Sequence, residues 1–150
     1  MRFIKQYSRW ILAVFIAFVF VQSLFFKFSG SNETNYIFTT LGDWSGFDWF
    51  AQYGAYGVGI SELIASIILM TPFWAFGAIA ALGIMTGAIY FHLFTPLGIA
   101  MPVFDAAGNV VGDDAGTLFA MACLTWLCAL GLVIKDLRSE KRLLVLPLQG

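Results

Sequence analysis

Four apolar runs, each long enough to cross a bilayer, leave this chain little choice of fold. They cover residues 10–28, 54–71, 73–94 and 117–134. A helix rises about 1.5 Å per residue, so about 20 residues cross a hydrocarbon layer roughly 30 Å thick. Backbone amides and carbonyls in lipid find partners only within the segment itself, so each run must be helical. Only 11% of the 150 residues are charged and 60% are hydrophobic, where a soluble domain carries about 25% charged residues. The expected fold is an all-α membrane protein, one domain over 1–150 built as a four-transmembrane-helix bundle. Its few basic residues sit at the two ends and form no stripe, which excludes a nucleic-acid partner.

The basic lead Arg2, Lys5, Arg9 followed by an apolar run resembles a secretory signal, and Ser29, Gly30 and Ser31 are small enough for cleavage. The run of about 17 residues exceeds the usual h-region of roughly 7 to 15, and further spanning segments follow, so the first helix is expected to be retained. Residues 29–53 form the first loop, with Glu33, Asp43 and Asp48 and no basic residue. Its aromatics suit the headgroup region, and the loop is expected to lie flat on the outer surface. Asp43 or Ser45 is expected to cap a short interfacial helix leading into the second span.

Thr71-Pro72 allows only an antiparallel return, and Pro96 stops the third span. Within 95–116 the stretch PVFDAAGNVVGDD reads as two short strands around a turn with Gly at positive φ. Asp105, Asn109, Asp113 and Asp114 lack the alternating spacing and closing Glu of a calcium loop, so a solvated hairpin is expected there and no metal site. Cys123 and Cys128 are five apart, on different helix faces, and read as packing residues.

Seven of the eight basic residues lie in the N-terminal lead or in the tail after residue 134, as Lys135, Arg138, Lys141 and Arg142, while both long loops hold none. The positive-inside rule then puts both termini in the cytoplasm. Residues 143–148 are expected to dock on the membrane surface.

Against this background Glu62 stands out, because an ionised carboxylate inside a span costs at least about 2.5 kcal/mol. With the topology above, Glu62 lies about 12 Å below the outer face, and Gln22, Lys27, Tyr90 and His92 all fall in the outer half of the membrane. Ser23 and Lys27 are i,i+4, as are Glu62 and Ser66. Gly77, Ala78, Ala81, Gly83, Gly87 and Ala88 are expected to let the third span approach its neighbours closely. A polar pocket opening outward follows, lined by Gln22, Lys27, Glu62, Ser66, Tyr90 and His92. The plainer readings are Lys27 as an interfacial anchor, His92 as an interfacial residue and Glu62 as a protonated structural group.

The four-span layout, VGISE over 58–62, the lysine closing the first span and MTGAIYFH over 85–92 resemble the DoxX-like family of small bacterial membrane proteins. The similarity covers roughly residues 10–134. One departure is Leu24, where the family often has glycine three positions before the lysine. The resemblance implies a multi-pass protein of the bacterial inner membrane linked to redox physiology. Some relatives resemble the membrane subunit of a thiosulfate:quinone oxidoreductase, and others accompany thiol-handling partners.

One His and two Cys supply no haem or cluster site, so electron transfer would need a quinone or a redox partner protein. Two readings stay open. One is a redox-associated, oxidoreductase-linked subunit holding a quinone-like or small thiol ligand, with Glu62 and His92 as the proton-exchanging, catalytic groups. The other is a non-catalytic binding, transport or assembly protein for a partner or small solute. A homo-oligomer fits either.

Overall fold

The computed structural model describes residues 2–139 and 143–144. It is mostly helical, in the order α1 (Arg2–Ser29), α2 (Asn32–Ser45), α3 (Asp48–Leu69), α4 (Trp74–Phe94), β1 (Pro102–Phe104), β2 (Val110–Asp113) and α5 (Thr117–Leu137). Three helical stretches are long and apolar enough to cross a membrane: Tyr7–Ser29, Trp74–Phe94 and Thr117–Leu137. α3 is as long as these but more polar, since Asp48, Gln52, Ser61, Glu62 and Ser66 all lie along it.

α1 begins eight residues before the apolar run. Nothing between Arg2 and Trp10 breaks a helix, so the basic lead simply continues it. The helix stops where Gly30 turns left-handed at φ 66°, the conformation that costs a residue without Cβ least. Ser31 then caps α2, its hydroxyl accepting from the Thr34 amide at 3.2 Å. This corrects the expected cap at Asp43 or Ser45, both of which lie in the last turn of α2, before Gly46 turns the chain at φ 74°. α3 accordingly starts at Asp48, six residues earlier than the apolar pattern places it. α5 runs three residues beyond the expected end, through Lys135 and Asp136.

α1 packs on α3, α3 on α4, α4 on α5 and α5 on α1, with little contact across the diagonals, which makes a four-helix ring. Its core is Ala13, Ile16 and Phe20 of α1, Ala65 and Leu69 of α3, Ala78, Ala81 and Met85 of α4, and Ala129 and Leu132 of α5. The small residues of α4 set the α3–α4 distance. A Cβ on Gly77 would lie 2.7 Å from the Leu69 amide nitrogen. Gly83 and Gly87, expected in the same role, face open space instead, and a Cβ on either would meet nothing within 4 Å. At about 100° of rotation per residue they fall on the other side of α4 from Gly77 and Ala81.

Outside the ring the surface is apolar. Ile11, Phe18 and Phe25 of α1, Ile60 and Ile67 of α3, and Ile79 of α4 are all exposed. Such a continuous apolar exterior belongs against lipid rather than water.

α2 lies along the first half of α3. Leu41, Leu97 and Met101 are buried beneath it with Ile37, Phe50 and Phe91, forming a second core at this end of the bundle. The strands pair antiparallel, Pro102 with Asp113 and Val103 with Gly112, and the register shifts before Phe104 meets Val110. Gly108 takes φ 85° in the turn, and the Asp105 carboxylate accepts from the amides of Ala107 and Asn109 at 2.9 and 2.8 Å. The hairpin and its positive-φ glycine are therefore as the sequence predicts.

At the opposite end Asp136 is fully buried and accepts from the amides of Leu143 and Leu144 at 3.0–3.1 Å, folding the tail back on α5. The rest of the expected surface-docking segment, 145–148, lies outside the described residues, as do Lys141 and Arg142.

Candidate functional site

Ser23, Lys27 and Glu62 meet where α1 crosses α3. Gly59 makes the crossing close: a Cβ there would lie 2.9 Å from Phe28 Cε1 and 3.3 Å from Leu24 Cδ2. One turn further along α3, Glu62 points into the seam, and Ser23 and Lys27 meet it from successive turns of α1.

Lys27 Nζ lies 2.8 Å from Glu62 Oε2, the Ser23 hydroxyl lies 2.8 Å from the same oxygen, and Lys27 Nζ donates to Ser23 Oγ at 2.9 Å. Ser23 Oγ is also 2.7 Å from the Phe20 carbonyl. A hydroxyl has one proton, so Ser23 serves either the carboxylate or the carbonyl while it accepts from Lys27. Ser66 is buried and donates to the Glu62 backbone carbonyl at 2.8 Å, which fixes the helix beside the site rather than the carboxylate itself.

The two side chains differ in access. Lys27 retains 16% of its surface and Glu62 only 4%. Glu62 Oε2 takes both donors, and Oε1 accepts from none of the described residues. The pair thus leaves one carboxylate oxygen and a third ammonium proton without a partner among the described residues. One turn along the seam, over Gly59, the rings of Phe28 and Tyr56 stack at 5.9 Å and 14°, and both are exposed.

Desolvating two charges costs about as much as their attraction returns, so a buried ion pair is poor evidence of stabilisation. Its chemical capacity is clearer. A carboxylate and an ammonium sharing a hydroxyl can hold an oxygen-bearing group and pass it a proton.

The other expected site residues are elsewhere. Gln22 is exposed and bonds to none of the described residues, because it sits about 100° round α1 from Ser23. Tyr90 is 47% exposed and packs its ring on Phe91 and Phe94. His92 is buried, but at the α2 end of the bundle. Its Nδ1 lies 2.6 Å from the Gly98 carbonyl and its ring meets Phe119 edge-on at 5.7 Å. A carbonyl only accepts, so the proton is on Nδ1. The adjacent Phe91 touches Phe50 of α3, and Glu62 is twelve residues along α3 from Phe50, about 18 Å. The single outward pocket expected from depth alone is therefore two separate polar places.

The second is structural. The Asp114 carboxylate accepts from the amides of Met101, Gly116 and Leu118 at 2.7–2.9 Å, tying the hairpin to the start of α5. Burial pulls its carboxyl upward, but those three amides, with nearby His92, overcome this and hold it below the usual carboxylate range.

In the sequence Ser23 stands out only as a companion of Lys27, and neither Asp114 nor Asp136 is marked as a partner for backbone amides. The Ser-x-x-x-Lys spacing signals the first, and Asp-Ala-Gly-Thr ahead of an apolar run signals Asp114 as a helix start. Among the described residues no three His, Cys, Asp or Glu side chains group as metal ligands. Cys123 and Cys128 are free thiols, each half-buried.

A helical ring with three helices able to cross a membrane and one ion pair at an interhelical seam points to a small membrane protein with a polar site inside. The chain matches no protein-family model, no curated protein and no solved structure.

Proposed function

We propose that the protein is a DoxX-like, redox-associated subunit of the bacterial inner membrane, and that the Lys27–Ser23–Glu62 site binds a quinone-type ligand at the α1–α3 seam. All four long helices cross the membrane in this reading, with both termini cytoplasmic and α2 and the hairpin outside. Seven of the eight basic residues lie at the two chain ends, which supports that orientation. α3, at 22 residues, is long enough to span, and Lys27 pairs with the Glu62 carboxylate within it.

The observation that carries the ligand class is the ion pair, whose Lys27 side chain keeps 16% of its surface, one helical turn from the Phe28–Tyr56 stack over Gly59. A quinone is flat, apolar and lipid-soluble, with carbonyl oxygens at its ends. The ring lies against the aromatic pair, and the Lys27 ammonium donates to one carbonyl. Reduction of a quinone to its quinol takes two electrons and two protons. Electrons come from a redox partner protein. Glu62, within one hydrogen bond of both Lys27 and Ser23, relays one proton from water to the reduced oxygen, and the second reaches the other oxygen from water directly. His92 is outside this site, its Nδ1 being engaged by Gly98.

Photolabelling with an azido-quinone, followed by peptide mapping, tests the reading. Label is expected on peptides carrying Phe28 and Tyr56, competed by unlabelled quinone and lost in Glu62→Gln. Label confined to other helices, or not competed, overturns it.

A further inference from the structure

A shallow cleft of about 430 Å³ lies between α2 and the hairpin and shares no lining residue with the ion-pair site. α2 lends it Asn32, Asn35, Tyr36, Thr39 and Thr40, and Phe104 of β1 closes the other side. The five α2 residues fall at i, i+3, i+4, i+7 and i+8, a single helix face. Thr34, Phe38 and Leu41, on the opposite face, are buried. The helix is thus held by its buried face and turns amides, hydroxyls and the Tyr36 phenol to the hairpin side.

The polar groups on that face are left free to an unusual degree. Thr86 within α4 and Thr95 just past its end turn their hydroxyls back to the carbonyls of Leu82 and Phe91, at 2.7 and 2.5 Å, as threonine in a helix commonly does. The hydroxyls of Thr39, Thr40 and Tyr36 bond to none of the described residues. Asn35 uses its amide nitrogen on the Gly30 carbonyl at 3.1 Å, which leaves its oxygen as an acceptor. Tyr36 and Phe104 present ring faces at 6.0 Å and 50°.

Among the described residues no charged side chain lines the cleft. Glu33 is turned to the Phe104 amide at 3.4 Å, and Asp105 is occupied by its own turn. No Lys or Arg occurs between residues 28 and 134, while the loops carry Glu33, Asp43, Asp48, Asp105, Asp113 and Asp114. An anionic ligand has nothing to pair with and six carboxylates to avoid. Hydroxyls and amides that both donate and accept suit a ligand rich in hydroxyls. Aromatic faces, negative at their centres, suit its C–H face.

We propose that the α2–hairpin cleft binds a neutral sugar ring. The sugar belongs either to a glycolipid headgroup or to a free saccharide. Exposed Trp44 and Trp49, flanking the end of α2, suit the headgroup layer from which a glycolipid would be presented.

The test uses the full chain in phospholipid nanodiscs free of glycolipid and of glycoside detergent, with saturation-transfer NMR as the readout. Methyl β-glucoside is added to one sample, glucosyl-diacylglycerol is built into a second, and methyl glucuronide is the anionic control. Transfer to sugar-ring protons is expected from the glucoside, the glycolipid or both, and the arm that responds names the source. Transfer to the glucuronide is expected to be absent. Replacing three hydroxyls in Tyr36→Phe/Thr39→Val/Thr40→Val should weaken binding by about tenfold or more, at an unchanged thermal midpoint. Thr39→Trp, at an exposed helix position, fills the cleft and should abolish transfer even if the triple variant folds poorly. Absence of transfer in both sugar arms, equal transfer to the glucuronide, or transfer that survives Thr39→Trp would overturn the proposal.

Discussion

Lys27→Met leaves the Glu62 carboxylate in its seam with only the Ser23 hydroxyl for a partner. Removing one member of a buried pair typically costs about 3–5 kcal/mol, because the remaining charge is stranded. Ser23 remains, and Lys27 was 16% exposed to begin with, so the lower part of that range, about 3 kcal/mol, is expected here. Glu62→Gln should cost less, about 1 kcal/mol, since Lys27 is near the end of α1 and its four-carbon stem can swing the ammonium outward. Glu62, at 4% exposure in the middle of α3, has no such escape. The double variant Lys27→Met/Glu62→Gln removes both charges and should return most of the loss, giving a coupling of roughly 2–3 kcal/mol in the cycle. Reversible unfolding in mixed detergent–SDS micelles measures all four proteins. Additivity within about 0.5 kcal/mol would show that the two side chains do not interact. A larger cost for Glu62→Gln than for Lys27→Met would refute the argument from unequal burial.

Gly77→Ala drives a methyl into the Leu69 backbone and should destabilise by about 1–3 kcal/mol, whereas Gly83→Ala meets nothing and should be neutral or stabilising by up to about 1 kcal/mol; the same unfolding assay compares them. Asp114 has a lowered pKa, so its contribution is present above the ordinary carboxylate value and lost as pH falls through the folded one. Protection factors at the Met101 and Leu118 amides, corrected for the intrinsic pH dependence of exchange, should therefore fall on acidification below the ordinary carboxylate range, and Asp114→Asn should flatten that dependence. Replacing Cys123 and Cys128 together by Ala should change stability by no more than about 1 kcal/mol each and leave mobility on non-reducing gels unchanged, because the thiols are half-buried and five residues apart. Single cysteines at Asn32 and Asn109 in that background should react with an impermeant maleimide added to intact cells, and protection of either would overturn the proposed orientation.

The helices were legible because lipid-compatible apolar runs have few alternatives, and the hairpin because Asp105 to Asn109 spell a turn. α2 was harder. Its aromatics read as interfacial loop, and the decisive signals were the small ones at its ends, Ser31 and Gly46. Glu62 was conspicuous through its cost, and the i,i+4 spacing of Ser23 and Lys27 was enough to direct both toward one partner.

Depth alone misled the rest of the site. Gln22, Tyr90 and His92 are expected in the same half of the membrane as Glu62, but depth carries no azimuth. Gln22 and Tyr90 point away from the bundle, and His92 is level with Phe50 rather than Glu62. Asp136 was hidden among the basic residues of the tail, because its partners are backbone amides, which leave no mark in a sequence.

The most direct test of the quinone site is mass spectrometry of the organic extract from purified protein, wild type beside Glu62→Gln, with each normalised to protein. Quinone carried at a fixed ratio by the wild type and lost from the variant is the predicted result. A wild type that carries none from quinone-containing membranes, or a variant that carries just as much, would contradict the assignment of Lys27, Ser23 and Glu62 as its binding site.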